Sequence, residues 1–200
     1  MKYGKIVLYG IGGLFLFFIA FVGVAALYLP STYEVERSIL IEQPPEKVYK
    51  KVARLKEWSK WNPWSRNVDS NIYKGKAMGK GAIWKWQDSE QGEGELRIAK
   101  ADPYHRIETR LYNADTTEMG HGKWSFERKG KRTRVTWKKS GDLAYPFQRV
   151  MIWLVGPEKM IGEDLEKGLE NLKKHLEKGV RLSAERFSLQ GHSRKRSSFP

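Results

Sequence analysis

The sequence contains no cysteine, so this chain has neither a disulfide scaffold nor thiol chemistry. It also has no phosphate-binding loop, no GxSxG elbow and no HExxH motif. The four histidines, His105, His121, His175 and His192, do not have the spacing of metal ligands. His121 lies between two glycines and is predicted to be in a loop before a strand at 123–128. From the sequence we therefore expect no metal, no cofactor and no identifiable catalytic residue.

Charge is absent from one long stretch, residues 6–30, which reads IVLYGIGGLFLFFIAFVGVAALYLP. It exceeds the ~20 apolar residues that are needed to cross a bilayer. We interpret residues 1–30 as a single-pass transmembrane anchor that spans the membrane through residues 6–29. The alternative is a cleaved signal peptide, but its apolar core has only ~7–15 residues and ends at a small-residue site, which is poorly matched here.

The charges beside this stretch predict its orientation. Lys2 and Lys5 precede it, whereas residues 31–37 carry Arg37 as their only positive charge. Basic residues concentrate in short flanks on the cytoplasmic side, and folded domains are translocated largely regardless of their charge. We therefore predict a cytoplasmic N-terminus and a domain, residues 31–179, on the outer side, periplasmic or extracellular.

Apolar residues recur every three or four positions between Met160 and Lys178, and the residues between them are mostly charged. This pattern predicts a long amphipathic helix that ends at Gly179. Its apolar stripe consists of Ile161, Leu165, Gly168, Leu169, Leu172 and Leu176. We expect the stripe to pack on a sheet, with Gly168 at the point of closest approach.

The residues before this helix read mostly as strands. Alternation over Tyr33–Ile41 predicts a first strand, and Pro45 can begin a short helix that a second helical turn follows. Six more strand-like segments lie between Asn71 and Lys139, each with one apolar and one charged face. They predict an antiparallel sheet with a solvated outer face. Three tryptophans at 58–64 either cap the open end of this sheet or contact a ligand.

This order of elements resembles the START-like helix-grip superfamily, whose bacterial members include SRPBCC or polyketide cyclase/dehydrase-like proteins. The resemblance covers residues 33–178. The motifs that carry it are VERSILIE (35–42), PPEKVY (44–49), WSKWNPW (58–64), TRVTW (133–137), MIG (160–162) and GLENLK (168–173). It implies an α+β helix-grip fold: a curved antiparallel sheet of about seven strands wrapped on a long C-terminal helix, with two short helices after the first strand.

The resemblance also implies a cavity between sheet and helix, which in different members binds lipids, hormones or polyketides. The predicted ligand-binding residues are Trp84, Trp86, Leu96, Ile98, Ile107, Thr109, Leu111, Trp124, Phe126, Val135, Trp137, Trp153, Met160, Ile161 and Leu165. The alternative is that these bulky side chains fill the core and leave little or no cavity.

Strands cannot part without losing backbone hydrogen bonds, so we expect the cavity to open between the 58–64 and 141–158 segments. In that arrangement Trp153 lies on a short apolar helix across the mouth. The partner is then a hydrophobic or amphipathic small molecule, such as a lipid, that reaches the cavity from the membrane.

These features predict a membrane-anchored binding module. An enzyme of the polyketide cyclase or aromatase kind is the alternative, and it requires a polar residue in the cavity, for which Thr109, Tyr112 and His121 are the candidates. A structural or interaction domain at the membrane is a further alternative.

The net charge of +14 is spread over the chain, and residues 180–200 contribute five basic residues and one acidic residue. They predict a disordered basic tail, which is either simply solvated or contacts anionic lipid head groups. No element for reading nucleic acid is recognisable, so we do not expect nucleic-acid binding.

Overall fold

A computed structural model describes residues 2–65, 68–89 and 92–178. The predicted basic tail, 180–200, lies outside them. The helices are α1 (Lys2–Ala26), α2 (Pro45–Ala53), α3 (Phe147–Val155) and α4 (163–178), with 3-10 turns at Leu55–Lys60 and Pro63–Ser65 and a π-helical turn at Glu158–Gly162. The strands are β1 (Thr32–Ile41), β2 (Ser70–Gly75), β3 (Ala82–Asp88), β4 (Gly92–Asp102), β5 (Arg106–Asn113), β6 (Glu118–Lys129) and β7 (Arg132–Asp142).

The strands form one antiparallel sheet in the order β1-β7-β6-β5-β4-β3-β2. Strands β2 to β7 follow one another as a meander, and β1 closes the row beside β7. The register shifts between Ile98 and Lys100 and again between Leu111 and Tyr112, and such bulges bend a sheet. The predicted α+β helix-grip fold is confirmed.

Helix α4 covers the inner face of the sheet. Leu165, Leu169 and Leu172 are fully buried there, as the predicted stripe requires. A Cβ on Gly168 would lie 2.7 Å from the ring of Trp137 and 3.3 Å from Pro63, which confirms that glycine permits the close approach.

Helix α1 contains no charged residue after Lys5. Its segment Gly10–Leu27 has a mean hydropathy of 2.4 and is 6% buried, so the helix is long and apolar enough to cross a membrane. Its C-terminal end contacts α3, where the Tyr145 hydroxyl donates to the carbonyl of Gly23 at 2.7 Å.

Two boundaries differ from the prediction. The terminal α-helix begins at residue 163, because residues 158–162 form a wider π-helical turn in which Gly162 lies against the Arg37 guanidinium. Arg37 pairs there with Glu158 at 2.5 Å and Glu166 at 2.6 Å. Strand β6 begins at Glu118 rather than 123, so His121, which we expected in a loop, lies within a strand.

The Gly168 contact predicts the effect of a single added methyl. The methyl group added by Gly168→Ala should cost about 1–3 kcal/mol of the free energy of unfolding, because neither Pro63 nor the stacked Trp137 ring can move aside easily. The higher helix propensity of alanine offsets roughly 1 kcal/mol of this cost, so the variant should be less stable than wild type by up to about 2 kcal/mol. Chemical denaturation checks it, with Lys167→Ala on the exposed side of α4 as the control. A Gly168→Ala protein more stable than wild type by the full helix-propensity gain of roughly 1 kcal/mol would contradict the close packing.

Candidate functional site

Tryptophans fill one part of the space between the sheet and α4. The rings of Trp124 and Trp137 stack with centroids 4.1 Å apart. Trp58 and Trp61 pack edge-on against both of them at 5.8–6.3 Å, and Trp64 meets Trp137 at 5.6 Å. In this part the bulky side chains form a packed core.

Glycines keep the neighbouring part of the inner face open. The buried residues of β6 run Gly120, Gly122, Trp124 and Phe126, so small and large side chains occupy opposite halves of the same strand. A Cβ on Gly122 would lie 2.5 Å from the Thr109 hydroxyl. Glycine thus lets β5 and β6 approach closely here, and both glycines line an open space beside the tryptophans.

This space is a cavity of about 190 Å³ with a mainly aromatic wall. It is lined by Tyr33, Trp58, Asn62, Trp64, Trp84, Trp86, Leu96, Thr109, Leu111, Gly120, His121, Gly122, Trp137 and Lys139. A cavity of ~150 Å³ holds benzene, and sites for drug-sized ligands have ~300–1,000 Å³. The cavity therefore has room for a ring or a short chain.

The structure brings six of the predicted ligand-binding residues to the cavity: Trp84, Trp86, Leu96, Thr109, Leu111 and Trp137. Six others lie in the packed core beside it: Ile98, Ile107, Trp124, Phe126, Val135 and Leu165. Ile161 is partly buried against that core, and Met160 is 43% exposed.

The structure does not bring Trp153 to the cavity. It is 64% exposed on α3, and the described residues that line the cavity include none from 141–158. The reason is that α3 packs beside the end of α1 instead of across the mouth. Trp58, Asn62 and Trp64, from the other segment that we expected at the entrance, do line the cavity.

Lys139 is the lining residue that sequence reasoning missed and that matters most for chemistry. The alternation that turns Val135 and Trp137 inward also turns Lys139 inward, so the signal was present in the strand pattern. Its ammonium lies 4.1 Å from the centroid of the Trp64 ring, a cation–π contact. Burial lowers the pKa of Lys139 to about 8, although Asp164 acts in the opposite direction.

The other polar lining groups are neutral or lie at the rim. The Thr109 hydroxyl is buried and donates to the carbonyl of Gly122 at 3.4 Å. His121 is exposed, with Nδ1 3.0 Å from a Glu118 oxygen. Burial raises the pKa of Tyr33, so its hydroxyl stays neutral at physiological pH.

Thr109, Tyr112 and His121 were the candidates for the polar cavity residue that an enzyme would require. Tyr112 lies away from the cavity, with the Arg97 guanidinium 4.8 Å from its ring centroid. Thr109 is the one that is both buried and in the cavity wall. Among the described residues, no cluster of three or more metal-ligating side chains occurs.

A family model described as polyketide cyclase/dehydrase and lipid transport matches residues 32–177. The chain belongs to this family. The matched range contains every lining residue of the cavity and excludes α1. The comparison with curated proteins returned no match.

Solved structures show the same fold in other members of this architecture. The Zhui aromatase/cyclase from a Streptomyces species has a TM-score of 0.58 at 15% identity, over 76% of this chain and 98% of that one. Truncated norcoclaurine synthase from Thalictrum flavum has a TM-score of 0.55 at 12% identity, over 72% and 93%.

A third similar structure is that of DynU16, from the dynemicin biosynthetic locus, with a TM-score of 0.50 at 14% identity over 73% of this chain. This chain spans about half of DynU16, 48% of its length. At these identities the three likenesses show the fold alone.

The environment of Lys139 predicts its titration. Its folded pKa of about 8 lies below the ordinary value of 10.5, so the unfolded chain binds more protons between these two values. The free energy of unfolding of wild type should therefore rise with pH across this window, compared with that of Lys139→Met, which lacks the titrating group. Urea unfolding of both proteins at a series of pH values measures the difference.

An NMR titration of ¹³C-methylated lysines gives the direct check. One resonance should titrate near pH 8, vanish in Lys139→Met and persist in Lys138→Met, whose side chain pairs with Glu34 at 2.6 Å. If every lysine resonance titrated at the ordinary value, Lys139 would be solvated rather than enclosed.

Proposed function

We propose that this chain is a membrane-anchored binding module for a hydrophobic or amphipathic small molecule, held in the cavity of the helix-grip domain. The cavity itself carries this proposal. It is apolar, walled by rigid indole rings and bordered by a few polar groups, which is the usual composition of a small-molecule site. The family includes lipid transport in its description, which supports a lipid-like ligand.

The surface of α3 supports the membrane part of the proposal. Phe147, Trp153 and Leu154 are 72%, 64% and 65% exposed on this one short helix. The helix is attached to the end of α1 through the hydrogen bond from Tyr145 to Gly23. Exposed aromatic and aliphatic side chains beside an apolar span are suited to the bilayer interface. In this arrangement α1 crosses the membrane and α3 lies on its outer surface.

The first test fills the cavity. Leu111→Trp adds bulk from β5 into the cavity, so the calorimetric affinity for 1-octanol should fall by at least about tenfold, or 1.4 kcal/mol. Mass spectrometry of an organic extract of the purified protein should likewise show less bound apolar compound than wild type.

The matched control is Arg110→Trp, which places the same side chain on the exposed face of the same strand. It should bind like wild type, and both variants should retain cooperative melting. The proposal fails if wild type holds no extractable molecule and shows no saturable heat with octanol.

The second test concerns the anchor. The full chain should remain in the membrane pellet after an alkaline carbonate wash, because only a spanning apolar helix resists that extraction. A protease added to intact cells, or to spheroplasts if the domain is periplasmic, should digest the domain. Recovery of the chain in the soluble fraction, or with its N-terminus removed near residue 28, would instead indicate a cleaved signal peptide.

An enzyme of the cyclase kind is the second candidate, favoured by the placement of Thr109 and Lys139 in one cavity wall. The Lys139 amine can exchange a proton with a bound compound and the Thr109 hydroxyl can hydrogen-bond it, while the apolar walls would fix its orientation. A bound compound whose mass changes during incubation with the protein, and not with Lys139→Met, would favour this candidate over a binding module.

A further inference from the structure

We propose that the ligand of this cavity carries an acidic head group, and that Lys139 is its counter-ion. This inference rests on the proposed function and specifies the chemical class of its ligand. The observation behind it is the placement of a single cation in an aromatic cavity.

Among the described lining residues, Lys139 is the only lysine, arginine, aspartate or glutamate. It stands on the inward face of β7, paired across the sheet with Val35 on β1 and Gly122 on β6. Val35 is buried and Gly122 has no side chain, so neither neighbour supplies a charge. The ammonium is therefore directed at the space that a ligand would occupy.

The protein does not neutralise this charge at close range. No carboxylate of the described part of the chain lies within ion-pair distance of Lys139, whereas its neighbour Lys138 is paired with Glu34 on the outer face. Lys139 is half-buried, and a cation that is partly removed from water is costly unless an anion or hydrogen-bond acceptors compensate it. The face of Trp64 offers partial compensation at 4.1 Å, and it also holds the ammonium in place.

The other ionisable groups around the site do not neutralise Lys139 at close range, which leaves an anion as its missing partner. Asp164 on α4 acts on Lys139 from a distance, His121 on β6 stands at the exposed rim beside Glu118, and Tyr33 on β1 presents a neutral hydroxyl. An acidic head group entering beside Trp64 would complete the ion pair. Its apolar part would then lie against Trp84, Trp86, Leu96 and Leu111.

Three probes with one alkyl chain test the head group. Octanoate, octyl phosphate and 1-octanol are titrated calorimetrically into the full chain in a nonionic detergent. At about pH 6.5 an acidic probe should bind roughly tenfold more tightly than octanol, since a hydrogen-bonded charge pair in a dry site contributes more than a neutral contact. The stronger of the two acids identifies the head group as carboxylate or phosphate.

Lys139→Met should reduce the preference for the acid to less than about twofold, because the acid then binds without a counter-ion. Lys139→Arg, which keeps the charge, should retain a preference. Lys138→Met is the matched control on the outer face and should behave like wild type. Comparing the ratio of acid to alcohol within each protein removes the effect of partitioning into detergent.

The preference should also disappear in wild type between about pH 6.5 and about pH 9.5, because Lys139 loses its proton near pH 8 while the acid stays ionised. Equal affinities for acid and alcohol in wild type, or a preference that survives in Lys139→Met, would overturn the inference and leave the binding module intact. If none of the three probes binds, it is the proposed function that fails.

Discussion

The close contact between Gly168 and Trp137, whose ring stacks on that of Trp124, determines how the sheet and α4 sit together. A helix normally stands farther from a sheet than this, because side chains separate the two backbones. Here the missing side chain lets α4 rest directly on the Trp137 ring, so Leu165, Leu169 and Leu172 reach the inner face on either side. The core is closed at this point, and the cavity begins beside it.

The same strand that contributes Trp124 to the core contributes Gly120 and Gly122 to the cavity. An inner face of uniformly large residues would have closed the space, as our alternative expectation held. An inner face without the tryptophans would have lost the rigid wall. Because the aromatic rings are fixed by contacts with one another, the cavity does not depend on a ligand to hold it open.

The fold was predictable from the sequence because alternation along strands and periodicity along helices show which face of each element is apolar. Apolar faces pack against one another, and this packing determines the layers of the fold. The site was less predictable, because a period of two says which residues point inward but not which ones face empty space. Ile98 and Leu96 both point inward, and only Leu96 borders the cavity. The prediction that His121 lies in a loop was wrong for another reason. The Gly-His-Gly sequence has low strand propensity, yet it is paired with β5 on one side and β7 on the other.

Lys139 shows how a strand pattern can hide chemistry. A lysine at the end of an amphipathic strand is normally assigned to solvent, but Lys139 shares the inward face of β7 with Val135 and Trp137 and pairs with the buried Val35. An apolar residue at this position would remove the cost of enclosing an ammonium group, which the lowered pKa expresses. Packing alone therefore gives no reason for a lysine here, whereas a cavity that must recognise one end of its ligand does. A charge at one end and indole rings around the rest would orient an amphiphile, because only one direction of entry satisfies both.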